Sequence, residues 1–173
     1  MDWFSPGDGP RPSRDAVRPR VTEITAQLLI GEYPRPVDAQ WLRDAHGVTA
    51  VLNLQDGDDL RLNGLDPAAL EGAYRNAGIE YLRMAISDGS ADAFGDRLEV
   101  TLAALKDVIE RGKRVFVHCN AGLNRAPTIA IAYLRAAGGM SLDQALALVK
   151  SRHTCGPYMT VLEEHFGARD RQP

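Results

Sequence analysis

Cys119 and Arg125 stand six residues apart in the run Val115-Phe116-Val117-His118-Cys119-Asn120-Ala121-Gly122-Leu123-Asn124-Arg125, a spacing that lets a thiol and a guanidinium face one small anion. The run starts as an apolar strand and ends in a short polar loop, so its cysteine falls at a strand end. From the chain's own residue frequencies, the pattern H-C-x-x-G-x-x-R arises by accident in roughly 4 of 10,000 such sequences, so chance does not account for it. A lone cysteine is more often a small buried hydrophobe. His118, Gly122 and Arg125 in register weigh against that here.

A phosphate monoester dianion is held best by donors that need no reorganisation, and the backbone N–H groups of a tight loop ahead of a helix are such donors. Asn120, Ala121, Gly122, Leu123, Asn124 and Arg125 are the expected phosphate-binding set. Gly122 gives the backbone freedom that wrapping an anion requires, and Arg125 adds a planar fork able to bond two phosphate oxygens. The same donors favour the thiolate of Cys119 at neutral pH, which can attack phosphorus in line and form a thiophosphate intermediate. His118 fits orientation of the loop or thiolate better than proton transfer.

The leaving alkoxide needs a proton, so an acid belongs on a neighbouring loop at the carboxyl end of an adjacent strand. Asp88, in Ser87-Asp88-Gly89-Ser90, is the candidate. Asp92 is the alternative, although Asp92 and Asp96 fall where first-turn acids of the next helix belong.

The elements that must position these residues alternate in type. Residues 21–30 suggest two short strands split near Ala26-Gln27, and residues 37–46 a short helix stopped by Gly47. A buried strand follows over 48–54, then a polar loop over 55–65. Asp66-Pro67 starts a helix reaching about Asn76, and residues 79–86 form a third strand. A helix from about Phe94 to Glu110 precedes the strand that delivers Cys119. Three more helices begin near Arg125, at the capping box Ser141-Leu142-Asp143-Gln144 and after Gly156-Pro157. The expected fold is α/β, a central mostly parallel sheet of about five strands flanked by helices, with ligand loops at the strands' carboxyl ends.

With 173 residues, 45% hydrophobic and 25% charged, the chain fits one globular domain, placed at residues 21–168 between a flexible N-terminal tail, 1–20, and a C-terminal tail, 169–173. A net charge of -3 argues against a nucleic-acid or acidic-membrane partner, so an anionic substrate must be met locally. Two cysteines, no signal-like h-region and no span-length apolar run imply a cytoplasmic protein in a reducing compartment. A redox role for Cys155 with Cys119 is the minor alternative to a plain residue at a helix start.

His118 to Arg125 resembles the signature of the cysteine-dependent dual-specificity phosphatases, within the protein tyrosine phosphatase superfamily, and the resemblance covers Val21 to about Phe166. It implies Cys119 as nucleophile, Arg125 as phosphate clamp and Asp88 as acid and then base, without a metal. Most of that superfamily carries Ser or Thr after the arginine, where its hydroxyl assists thiolate departure; here the residue is Ala126. Ala121-Gly122-Leu123-Asn124-Arg125-Ala126-Pro127 is similar to the glucan phosphatase branch, with Asn124 in place of its usual Gly. The stretches from Val51 to Asp66 and from Ser151 to Pro157 are similar to that branch too.

The aromatic residues that hold sugar chains in the branch are absent at Leu62-Asn63 and Gly89; Tyr33, Trp41 and Tyr158 are candidate substitutes, each read more simply as core or surface packing. The expected substrate is a phosphate monoester, phosphoglucan or alternatively phosphoprotein. The loop lacks lysine, which favours a single phosphate over a highly charged inositol phosphate. An inactive phosphate-binding module and a sulfur-transferring enzyme are the competing classes.

Overall fold

A computed structural model describes residues 17–169. The expected tail over 1–16 and residues 170–173 lie outside the described residues. Five strands form one sheet in the order β1 (Val21–Glu23), β2 (Leu28–Gly31), β5 (Val115–His118), β3 (Ala50–Asn53), β4 (Glu80–Arg83). Only β1 runs antiparallel to its neighbour, so the sheet is mostly parallel, as strand–helix alternation implies.

The inner strands β2, β3 and β5 are buried on both faces, which is why they appear in the sequence as nearly unbroken apolar runs. Their alternation sorts the side chains. Leu28, Ile30, Ala50, Leu52, Val115 and Val117 join a core with α4 (Ala91–Glu110), α5 (Arg125–Ala136), α6 (Leu142–Arg152) and α7 (Met159–Phe166). Leu29, Val51 and Phe116 join a second core with α1 (Ala39–His46) and α3 (Pro67–Asn76).

One expectation fails. Residues 55–65 are not simply a polar loop, for they contain α2 (Gly57–Leu62). A capping box starts it: the Asp56 carboxylate accepts the Asp59 N–H at 2.8 Å, and the Asp59 carboxylate accepts the Asp56 N–H at 3.0 Å. Leu60 is buried while Leu62 is 81% exposed, so this short helix carries no hydrophobic period to read. The strands β3 and β4 are shorter than the apolar runs around them, and α4 starts at Ala91 because Ser90 caps it, accepting the Ala93 N–H at 3.1 Å.

Residues 18–20, assigned to the tail from sequence, lie against the sheet edge and α1. Arg18 pairs with Asp38 at 2.6 Å and lies over the Trp41 ring, while the Arg20 carbonyl accepts the Glu32 N–H at 3.0 Å. A Cβ on Gly31, the residue opposite His118 in the β2–β5 register, would fall on that Arg20 carbonyl oxygen. Gly31→Ala should therefore destabilise the protein by about 1–3 kcal/mol, read as a lower urea midpoint; an unchanged midpoint would show slack at this contact.

Candidate active site

β5 delivers Cys119, 3% exposed, to the carboxyl edge of the sheet, and residues 119–124 loop from there into the N-terminus of α5. Four carbonyls of this loop meet groups of the surrounding protein. Cys119 O lies 3.3 Å from His118 Nδ1 and Gly122 O lies 2.7 Å from His153 Nε2. Asn120 O accepts the Tyr33 N–H at 3.1 Å, and Leu123 O accepts the Gly156 N–H at 2.8 Å.

In a trans peptide the C=O and the following N–H point in opposite directions. Carbonyls drawn outward thus turn the N–H groups of Asn120, Ala121, Leu123 and Asn124 toward the loop's own interior, which makes an anion nest. Gly122 has φ 68°, and a Cβ there would stand 2.6 Å from the Gly31 carbonyl carbon, so only glycine fits. Asn124 fastens the loop exit by donating to Gly156 O at 2.6 Å.

Among the described residues Arg125 is the largest fully buried side chain, 1% exposed. Its Nη1 donates to Asp59 Oδ2 at 2.7 Å and to Ile86 O at 2.8 Å. Its Nε and Nη2, which form one edge of the guanidinium, are buried without a hydrogen-bond partner. Burial opposes the charge, but the Asp59 hydrogen bond and the nearby Cys119, Asp59 and Asp88 outweigh it and hold the guanidinium above its ordinary pKa. This edge is a fork shaped to take two oxygens of one anion.

Asp88 is half-exposed, and its Oδ1 stands 3.3 Å from Arg125 Nε. The structure thus brings Asp88, Arg125 and Cys119 to one place. Asp92 sits instead in the first turn of α4, in a groove with Asp96 and Glu164. His118 is buried and stacks on Phe116 with ring centroids 5.6 Å apart. Of the three aromatic substitutes, Tyr33 is buried in the core beside α1 and α3, and Trp41 packs edge-on to His46. Tyr158 alone of the three borders the site: burial first, then the negative charge of Asp88, pushes its phenol above the usual range, against a smaller pull from the Gly89 backbone.

Asp59 was not singled out from sequence as a site residue. It lies in α2, 66 positions from its partner Arg125, and also accepts from Asn120 Nδ2 at 2.5 Å. Asn120 Oδ1 in turn accepts from Gln55 Nε2 at 2.7 Å and Asn63 Nδ2 at 3.0 Å, so the Asn120 side chain braces α2 against the loop. The paired acids Asp56 and Asp59 were a signal for a helix cap; nothing local marked Asp59 as a guanidinium partner. Among the described residues, no three His, Cys, Asp or Glu side chains gather as a metal site requires. No helix among them is long and apolar enough to cross a membrane.

Residues 28–162 match the family described as dual specificity phosphatase, catalytic domain, and the chain belongs to that family. It is similar to the phosphoglucan phosphatase DSP4, amyloplastic, of Castanea sativa, 33% identical over 143 residues that cover 81% of this chain and 38% of that protein. It is also similar to the phosphoglucan phosphatase LSF1, chloroplastic, of Arabidopsis thaliana, at 29% over 139 residues covering 80% and 23%. Human dual specificity protein phosphatase 2 is 31% identical over 151 residues, covering 87% and 43%. The chain therefore spans less than half the length of these relatives. Among solved structures, Tk-PTP in the active form superposes with a TM-score of 0.69 at 25% identity, covering 83% of this chain and 94% of that one. Human DUSP28 gives 0.66 at 25%, covering 86% and 94%.

Removing one partner of a buried ion pair leaves the other charge uncompensated. Asp59→Ala should cost about 3–5 kcal/mol in urea unfolding; a loss below about 1 kcal/mol, as for a surface pair, would contradict the constraint placed on Arg125.

Proposed function

We propose that this chain is a cysteine-dependent phosphomonoesterase that acts through a cysteinyl-phosphate intermediate. The observation that carries the reading is the Nε–Nη2 edge of Arg125, buried beside Cys119 with no hydrogen bond and with only the Asp88 carboxylate near it, a charged fork shaped for two phosphate oxygens. Residues 21–168 are the proposed catalytic domain, with residues 120–125 cradling the phosphate.

The Cys119 thiolate gives its electron pair to phosphorus as the bond to the leaving oxygen breaks, and Asp88, as the carboxylic acid, gives that oxygen its proton. The Asp88 carboxylate then takes a proton from water as the water oxygen attacks phosphorus. The S–P bond breaks, the thiolate returns and inorganic phosphate leaves. Before the first step a phosphate oxygen must displace Asp88 from its 3.3 Å contact with Arg125 Nε. Gly89, at φ 71° directly behind Asp88, gives that segment the freedom to move.

Phosphoglucan is the proposed substrate, supported by Ala126-Pro127 after the arginine and by the two phosphoglucan phosphatases among the relatives. Dual-specificity phosphoprotein hydrolysis is the second reading, favoured by the human relative and by Asn63, whose side chain is spent on Asn120 where a sugar platform would stand. Two free cysteines fit a reducing compartment such as the cytoplasm.

Phosphate release from solubilised phosphoglucan, a phosphotyrosine peptide and an aryl phosphate, under reducing conditions, separates the readings. Cys119→Ser should abolish release from all three; surviving activity would sink the mechanism. Asp88→Ala should depress the phosphoglucan rate far more than the aryl phosphate rate, since an aryl oxide leaves without help, and equal losses would remove Asp88 from the acid role. Ala126→Ser should raise kcat and lower the burst, with unchanged kinetics counting against slow thiolate departure.

A further inference from the structure

His153 caps the end of α6 and is 3% exposed, and its ring bonds to groups far away in sequence. Its Nε2 lies 2.7 Å from Gly122 O, across 31 positions, and its Nδ1 lies 2.8 Å from Thr22 Oγ1 in β1, across 131. A carbonyl only accepts, so Nε2 carries the proton, and Nδ1 must then accept from the Thr22 hydroxyl. Arg20 Nη2, 3.4 Å from Nε2, is also a donor and cannot compete for that proton. Its charge beside a buried ring opposes a second ring proton, and burial with this charge holds the imidazole below its ordinary pKa.

We infer that His153 is a positioning residue for the phosphate loop: held as the Nε2–H tautomer by Thr22, it draws the Gly122 carbonyl outward and so aims the Leu123 N–H at the bound phosphate oxygen. The inference rests on the phosphatase reading and adds to it a device built from the chain's ends. The other ties on the loop's carbonyls come from backbone N–H groups or from the neighbouring residue His118, whereas this one depends on a side chain at the end of α6. Gly122 lies close against the Gly31 backbone, and His153 bonds its carbonyl, which restrains rotation of its peptide plane. Thr22 precedes the family match, which starts at residue 28, so β1 becomes part of the anion site and not merely a sheet edge.

Tungstate, a phosphate-shaped oxyanion that needs no turnover, is the probe, titrated calorimetrically into the full chain well below each variant's thermal midpoint. His153→Gln keeps an N–H donor at the reach of Nε2 and should bind within about threefold of wild type. His153→Leu leaves the Gly122 carbonyl without its donor and should weaken tungstate at least about tenfold. A histidine that only supported the fold would lower the thermal midpoints without this split in affinity. Equal affinity in wild type and His153→Leu, or equal weakening by Gln and Leu, would overturn the inference. Should His153→Leu not fold, Thr22→Val decides: about threefold weakening is expected, and wild-type affinity would overturn it. Wild type that binds no tungstate would sink the phosphate reading as well, whereas wild-type binding with indifferent variants sinks the inference alone.

Discussion

A guanidinium buried to 1% exposure is the constraint on which the carboxyl edge of this sheet depends. A charge taken out of water is costly unless it is paired and hydrogen-bonded. Arg125, at the first turn of α5, is answered by Asp59 from α2 and by the Ile86 carbonyl after β4, with the Leu54 carbonyl after β3 farther off at 3.4 Å. Three segments are thereby gathered around one side chain, and its rotation is fixed. With Nη1 spent on the protein, the Nε–Nη2 edge can face only the loop of Cys119 and the carboxylate of Asp88.

The loop obeys the same logic from the backbone side. Its carbonyls bond outward, to residues that follow β2, to the ends of α6 and to the segment before α7, so its N–H groups are left for an anion. Two glycines make this possible by close approach: Gly122 lies on the backbone of Gly31, which itself lies under Arg20. The nest and the fork are therefore rigid before any ligand arrives, which is what stabilising a transferring phosphoryl group requires.

What could be read from the sequence was local. The strand ending in His118-Cys119, the glycine at 122 and the arginine opening a helix are neighbours in the chain, and the structure keeps them neighbours. Asp88 was within reach because acids for such chemistry sit at strand ends, and β4 supplied one. Asp59 and His153 were not recognisable as site residues, since their partners lie 66 and 31 positions away and their contacts exist only once both cores have formed. The helix that carries Asp59 was hidden for another reason: six residues held by a cap and a single buried leucine show no period. Nothing local in the sequence ranks Tyr158 above Tyr33 and Trp41; the packing of its ring on Phe94 of α4 places it, alone of the three, at the site.

The central claim is that the anion gripped by Arg125 is attacked by the sulfur of Cys119. Rapid acid quenching of the full chain during turnover of an aryl phosphate, followed by mass analysis of the peptide containing Cys119, tests it most directly. The account expects that peptide to gain the mass of one phosphoryl group, carried on sulfur, and the peptide with Cys155 to stay unmodified. Turnover without any phosphoryl group on Cys119, or with it on another residue, would contradict the account.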